Sequence, residues 1–154
     1  MKNSKALIIS ILISLGVGGI SALFTRNSMD VYNTLLKPEL SPPSWVFPVV
    51  WTILFILMGI SAYLVFVSDS LYRNSALKIY AAQLVVNFFW TIIFFNLQMY
   101  LLAFLWLLLL WVLIVLMIAC FYKVNKTAAY LMITYLLWVT FAGYLNLSIY
   151  LLNR

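Results

Sequence analysis

Five apolar stretches, each long enough to cross a bilayer core as a helix (about 20 residues), run through this chain of 154 residues with little between them. They cover residues 6–24, 44–67, 76–97, 101–122 and 128–152, leaving only about 42 residues for every connection and both ends. Too little remains for a soluble domain, so residues 1–154 read as a single membrane domain. Any function must lie among the helices or in their loops. Hydrophobic residues make up 67% of the chain and charged ones 8%, against roughly 45–50% and 25% in soluble domains. A soluble fold of this size has too much surface to hide that much apolar side chain. The runs are continuous, without the short alternating segments of a barrel, so the expected fold class is all-α, a bundle of five transmembrane helices. The opening Met1-Lys2-Asn3-Ser4-Lys5 resembles the start of a signal peptide. The apolar run that follows is longer than a signal h-region and ends without an Ala-x-Ala site, so a retained helix is expected.

Punctuation between the runs sets the connections. Pro38, Pro42, Pro43 and Pro48 cluster at the junction of the first two spans, and Pro48 suits the first turn of a helix, where its missing N–H costs little. That reading starts the second helix at Pro48 and ends it at Val67. Asn74-Ser75 offers an N-cap for the third span. Gln98-Met99-Tyr100 alone separates spans three and four, which predicts a tight antiparallel hairpin. Residues 25–43 form the one long loop, and long ordered loops are usually functional. Basic residues are unevenly shared: Lys2, Lys5, Arg73, Lys78, Lys123 and Lys126 fall on one side, Arg26, Lys37 and Arg154 on the other. The positive-inside rule then places the N-terminus in the cytoplasm, with the long loop and the C-terminus outside the cell membrane.

The inventory of reactive groups excludes most chemistry. Histidine is absent, and Asp30, Glu39 and Asp69 are the only carboxylates, all in loops. That removes His-based nucleophilic catalysis, a buried carboxylate pair, most metal sites and the intramembrane charge typical of proton-coupled pumps. No metal site is expected. Cys120 is alone, so no disulfide framework exists. The net charge of +6 comes from scattered residues without a basic stripe, so nucleic acid is not an expected partner.

Aromatic residues stand out, at 18% with six tryptophans. Trp45 and Tyr122 suit the headgroup level; Trp106 and Trp111 fit lipid-facing bulk equally well. Trp90 and Trp138 lie deep in their spans, where an indole N–H needs a partner. Gln83, Asn87, Trp90 and Phe94 share one face of span three by their 4, 3, 4 spacing, and Tyr135, Trp138, Ala142 and Asn146 share one of span five by 3, 4, 4. Two readings stay open: amides that only join helices, or a pocket with a few polar anchors in an aromatic wall. Counting depth favours a common level for Trp51, Asn87, Trp138 and Ala142 beneath the long loop, with Ala142 leaving room beside the indoles. In span one, Ser10, Ser14, Gly18 and Ala22 form a small-residue stripe explained by close packing, within a monomer or between protomers.

The segment Lys37-Pro38-Glu39-Leu40-Ser41-Pro42-Pro43-Ser44-Trp45-Val46-Phe47-Pro48, followed by Val50-Trp51-Thr52-Ile53-Leu54, resembles the TspO/MBR family, the translocator and tryptophan-rich sensory proteins or peripheral benzodiazepine receptors. The resemblance continues through 58–64, Val86-Asn87-Phe88-Phe89-Trp90 with Phe94-Phe95, and 135–146, in the family's order, and is closest to bacterial members. It implies a membrane-bound protein, commonly a homodimer, that binds porphyrins, sterols and benzodiazepine-type compounds. It also implies ligand contacts at Trp51, Asn87, Trp138 and Ala142, with Tyr32 contributed by the long loop; Trp90 joins them from its helix face. The terminal Leu147-Ser148-Ile149-Tyr150-Leu151-Leu152-Asn153-Arg154 meets only a loose sterol consensus, so cholesterol is not an expected physiological ligand.

Three functions follow as expectations. The first is binding and sensing of a flat tetrapyrrole such as protoporphyrin IX, as ligand or substrate, with no resident cofactor. The second adds light-dependent breakdown of that guest, with Trp51 and Trp138 as electron donors. The third, transport of porphyrin or lipid, lacks intramembrane charge, a broken helix or an inverted repeat. A helix-packing protein without a ligand is the plain alternative.

Overall fold

A computed structural model describes residues 3–154. Lys2, counted above among the basic residues of the N-terminal side, lies outside the described residues. Helix α1 covers Ser4–Thr25, with the Asn3 side chain accepting from the Ala6 N–H at 3.2 Å as its N-cap. A 3₁₀ turn, Arg26–Ser28, leads into a short helix α2, Met29–Thr34. The segment expected as plain loop is therefore partly helical. Helix α3 spans Val46–Phe66, beginning two residues before Pro48, which still lies in its first turn. Helix α4 covers Arg73–Thr91 and passes into a π-helical turn, Ile92–Asn96, that sequence spacing did not foresee. Asn74 and Ser75 do not cap α4: they lie inside it, and the N-cap residue Tyr72 makes no side-chain cap bond. The chain turns instead on Ser70, whose Oγ accepts the Tyr72 N–H at 3.2 Å.

Gln98, with φ of 55°, reverses the chain into α5, Tyr100–Val124. Asn125 then caps α6, Lys126–Asn153, by accepting the Ala128 N–H at 3.0 Å. Five helices, α1, α3, α4, α5 and α6, are long and apolar enough to cross a membrane. Their packing forms a closed ring in the order α1, α3, α6, α5, α4 and back to α1. The outer surface is apolar, with Ile13, Leu105 and Leu137 all exposed, as expected where the solvent is lipid.

The small-residue stripe of α1 packs within the monomer, against α3. Ser10 Oγ donates to the Gly59 carbonyl at 2.7 Å and Ser14 Oγ to that of Phe55 at 2.6 Å. A Cβ on Gly59 would stand 2.5 Å from Ile11 Cα, and one on Gly18 would stand 2.6 Å from the Phe55 ring. Hydroxyls that bond across the contact and missing side chains that let backbones approach are the usual devices of intramembrane packing.

Polar residues inside the bundle are mostly committed to one another. Asn87 Nδ2 donates to the Tyr135 hydroxyl at 2.7 Å, and that hydroxyl donates to Gln83 Oε1, also at 2.7 Å. Trp90 Nε1 donates to Asn146 Oδ1 at 3.1 Å, while Asn146 Nδ2 donates to the Tyr100 carbonyl at 2.8 Å. Trp106 and Trp111 also bond between helices, to the Val86 carbonyl at 2.8 Å and to Thr140 Oγ1 at 2.9 Å. They serve as more than bulk toward lipid.

Candidate functional site

At the end of the bundle that carries α2, the helices part around a cavity of about 360 Å³. Its floor and walls are aromatic. Helix α3 contributes Phe47, Pro48, Trp51 and Phe55; α4 and its π turn contribute Asn87, Trp90, Thr91, Phe94 and Phe95. Ala142, Leu145, Asn146 and Ile149 come from α6, and Gly18, Ser21, Ala22 and Thr25 from α1. Arg26, Met29 and Tyr32 close the outer side. The Trp51 ring lies 5.7 Å from that of Phe55 and 6.3 Å from those of Trp90 and Tyr135, centroid to centroid.

The π turn has a direct role in this wall. Adjacent residues on a regular helix point about 100° apart, and a π turn changes that register. Phe94 and Phe95 both line the cavity, 4.8 Å apart, and both pack against Tyr32. Asn96, at the end of the turn, accepts from Ser28 Oγ at 2.7 Å and donates to the Phe24 carbonyl at 3.0 Å. That fixes the start of the covering segment to α4.

The covering segment is fastened at its other end too. Asn153 donates to the Leu36 carbonyl at 2.9 Å and accepts the Leu36 N–H at 3.0 Å, so one carboxamide holds both main-chain polar groups of Leu36. Between these fastenings Tyr32, only 6% exposed, inserts its ring among Phe47, Phe94 and Phe95. Lys37 Nζ stands 4.8 Å over that ring, a cation–π contact.

Tyr32, Trp51, Asn87, Trp90 and Ala142 thus meet around one cavity. Trp138 does not line it. The buried stripe of α6 runs through Tyr135, Val139, Ala142, Asn146 and Ile149, which turns Trp138 to the flank. There it packs on Phe47 at 5.9 Å and Phe141 at 5.7 Å, with its indole N–H buried and unpartnered among the described residues. The expectation of Trp138 on the wall is corrected to a position behind Phe47.

Polar atoms at the cavity are few. Both ends of the Asn146 carboxamide are occupied by protein partners. Asn87 uses its Nδ2 on Tyr135, leaving its Oδ1 without a protein donor among the described residues. Ser21 Oγ is buried there and unpaired among the described residues, and Arg26 brings the one guanidinium. Sequence reasoning missed Phe47, Arg26 and the α1 residues. Phe47 stood in a segment read for its family resemblance alone, and the spacing of Gly18 and Ala22 was read only as packing.

A profile of the TspO/MBR family matches residues 10–152. The chain belongs to the TspO/MBR family. The "Tryptophan-rich protein TspO" of Chlorobaculum tepidum is 39% identical over 155 residues, spanning 99% of this chain and 98% of the relative. The "Tryptophan-rich sensory protein" of Cereibacter sphaeroides is 35% identical, covering 79% of this chain and 76% of its own length. The human "Translocator protein" is 34% identical, at 77% and 72%. As a TspO/MBR protein with five apolar helices, the chain is a multi-pass membrane protein.

Proposed function

We propose that this protein is a membrane receptor for a flat hydrophobic tetrapyrrole of the protoporphyrin IX type, and for benzodiazepine-sized aromatic compounds, in the cavity beneath α2. The observation that carries this reading is the aromatic cavity of about 360 Å³, within the roughly 300–1,000 Å³ usual for small-molecule sites. Trp51 and Trp90 offer ring faces to a π-system, and the free Asn87 Oδ1 accepts from a ring N–H of a metal-free guest. Arg26 at the outer side supplies a cation for the guest's carboxylates. Tyr32 occupies the outer part of the space, so a large guest requires it to swing out with α2. Titration of the purified protein with protoporphyrin IX tests the reading: a saturable Soret-band shift is expected, and its absence refutes it.

A second reading, light-dependent breakdown of the bound porphyrin, is favoured by Trp51 standing in the wall, where an excited guest takes one electron from its indole. Trp138, held behind Phe47, acts in this reading as a second donor at longer range. Unchanged photoproduct yield in Trp51→Phe removes it. Homodimer formation and a cytoplasmic N-terminus, with α2 and the C-terminus outside, complete the proposal; the orientation rests on the bias of basic residues toward the N-terminal side.

A further inference from the structure

A second cavity, of about 280 Å³, lies between α1, α3 and α4 at the opposite end of the bundle. Ile9, Ile13, Ala62, Phe66, Leu77 and Tyr80 line it. Ile9, Ile13 and Phe66 are each more than half exposed on the outer face of the bundle. In a membrane that face meets acyl chains, so the cavity opens sideways into the bilayer.

The apolar interior and the charge of the rim say what enters. Tyr80 closes the deep end: it is only 7% exposed, and its hydroxyl is buried inside the bundle beside Ser14. The rim is also basic. Arg73 precedes Leu77 and Tyr80 by four and seven residues, placing it on their face of α4. Its guanidinium donates to the carbonyls of Phe66 at 3.4 Å and Ser68 at 3.2 Å. Carbonyls hold it in place without neutralising its charge. Lys5, exposed and four residues before Ile9, stands on the corresponding face of α1. Asp69, the one carboxylate at this end, is exposed in the turn.

We propose that this cavity takes one acyl chain of an anionic phospholipid. The phosphate sits on Arg73 and Lys5, and the chain runs inward past Ile9, Phe66 and Leu77 toward Tyr80. Basic pockets between transmembrane helices recognise anionic headgroups in this way. The site is separate from the tetrapyrrole cavity and stands whether or not that reading holds.

Native mass spectrometry of the full chain, released from micelles loaded with equal phosphatidylglycerol and phosphatidylcholine of identical acyl chains, tests it. Wild type is expected to retain one phosphatidylglycerol in preference. Lys5→Gln and Arg73→Gln should each cut that preference about fivefold, while Arg73→Lys, which keeps the charge, preserves it. Tyr80→Phe, which alters only the deep end, should leave the preference intact. Ala62→Phe, which fills the cavity, should abolish retention while helical circular dichroism remains native. Equal retention of the two lipids by wild type overturns the proposal, as does a preference indifferent to both charge-removing variants. Displacement of the lipid by inorganic phosphate alone would also overturn it, in favour of a simple anion site.

Discussion

Replacing Tyr135 by Phe keeps the ring and deletes one hydroxyl, and so isolates the polar network that joins α4 to α6. That hydroxyl accepts from Asn87 and donates to Gln83, both at 2.7 Å. Interhelical hydrogen bonds in bilayers average about 0.6 kcal/mol, with a ceiling near 1.7. Two of them therefore give about 1.2 kcal/mol, and at most about 3.4. The two amides are not equally able to recover. Asn87 borders the cavity, where water or a guest can replace the lost partner. Gln83 is fully buried, and its remaining contact is a weak one to Met58 Sδ at 3.8 Å. A stranded amide oxygen costs about 1–3 kcal/mol, so the expected loss lies in the upper half of the range, about 2–3 kcal/mol. Reversible unfolding in mixed micelles, by titration with a denaturing detergent, measures it. Asn87→Leu should cost about half as much, because Tyr135 still has Gln83 as acceptor. It should also weaken tetrapyrrole binding, since it removes the one cavity-facing carboxamide oxygen without a protein partner. The double variant should show coupling of about 0.6–1.7 kcal/mol. A loss under about 0.5 kcal/mol in Tyr135→Phe, or strict additivity with Asn87→Leu, would refute the view that this network holds the bundle together.

Asn153→Ala removes the two bonds to Leu36; stopped-flow tryptophan quenching should show porphyrin entering and leaving several-fold faster, with affinity nearly unchanged. Gly59→Ala brings a Cβ to 2.5 Å from the Ile11 backbone, whereas Gly16 and Gly19 have nothing within 4 Å. Thermal unfolding should therefore register a loss of about 1–3 kcal/mol for the first and almost none for alanine at the other two. Trp51→Phe should weaken porphyrin binding severalfold in a Soret titration, and Trp138→Phe should leave affinity near wild type, because Phe47 stands between Trp138 and the cavity. Arg26→Gln should weaken binding of protoporphyrin IX but not of its dimethyl ester, which lacks the carboxylates; equal loss for both guests would assign Arg26 a structural role.

Apolar run length located all five spans, with ends displaced by a few residues, because crossing lipid demands a helix both long enough and apolar throughout. Face assignment was less secure. On α6 the spacing of Tyr135, Ala142 and Asn146 is compatible with either Trp138 or Val139 between them, and helix packing chose Val139. Asn74-Ser75 has the composition of a cap, but Ser70, upstream of the helix, supplied the turn. The π turn at Ile92–Asn96 has no compositional mark, since Ile and Phe suit an α-helix equally well. Asn153 entered only as a member of the loose terminal sterol consensus; its role depends on a partner 117 positions away, Leu36, a distance no local pattern reports. The amides of α4 and α6 were legible as polar residues in need of partners, but which atoms remain free for a guest is visible only in three dimensions.

The ring order has a consequence for biogenesis. The fifth spanning helix to be translated, α6, is wedged between α3 and α5, and it supplies part of the chamber beneath α2. A nascent chain with only four helices inserted therefore has a gap on one side, open to the surrounding acyl tails. The chamber is completed by the same late insertion that places Asn153 beside Leu36, so the protein acquires its interior and its fastened cover in one step of synthesis.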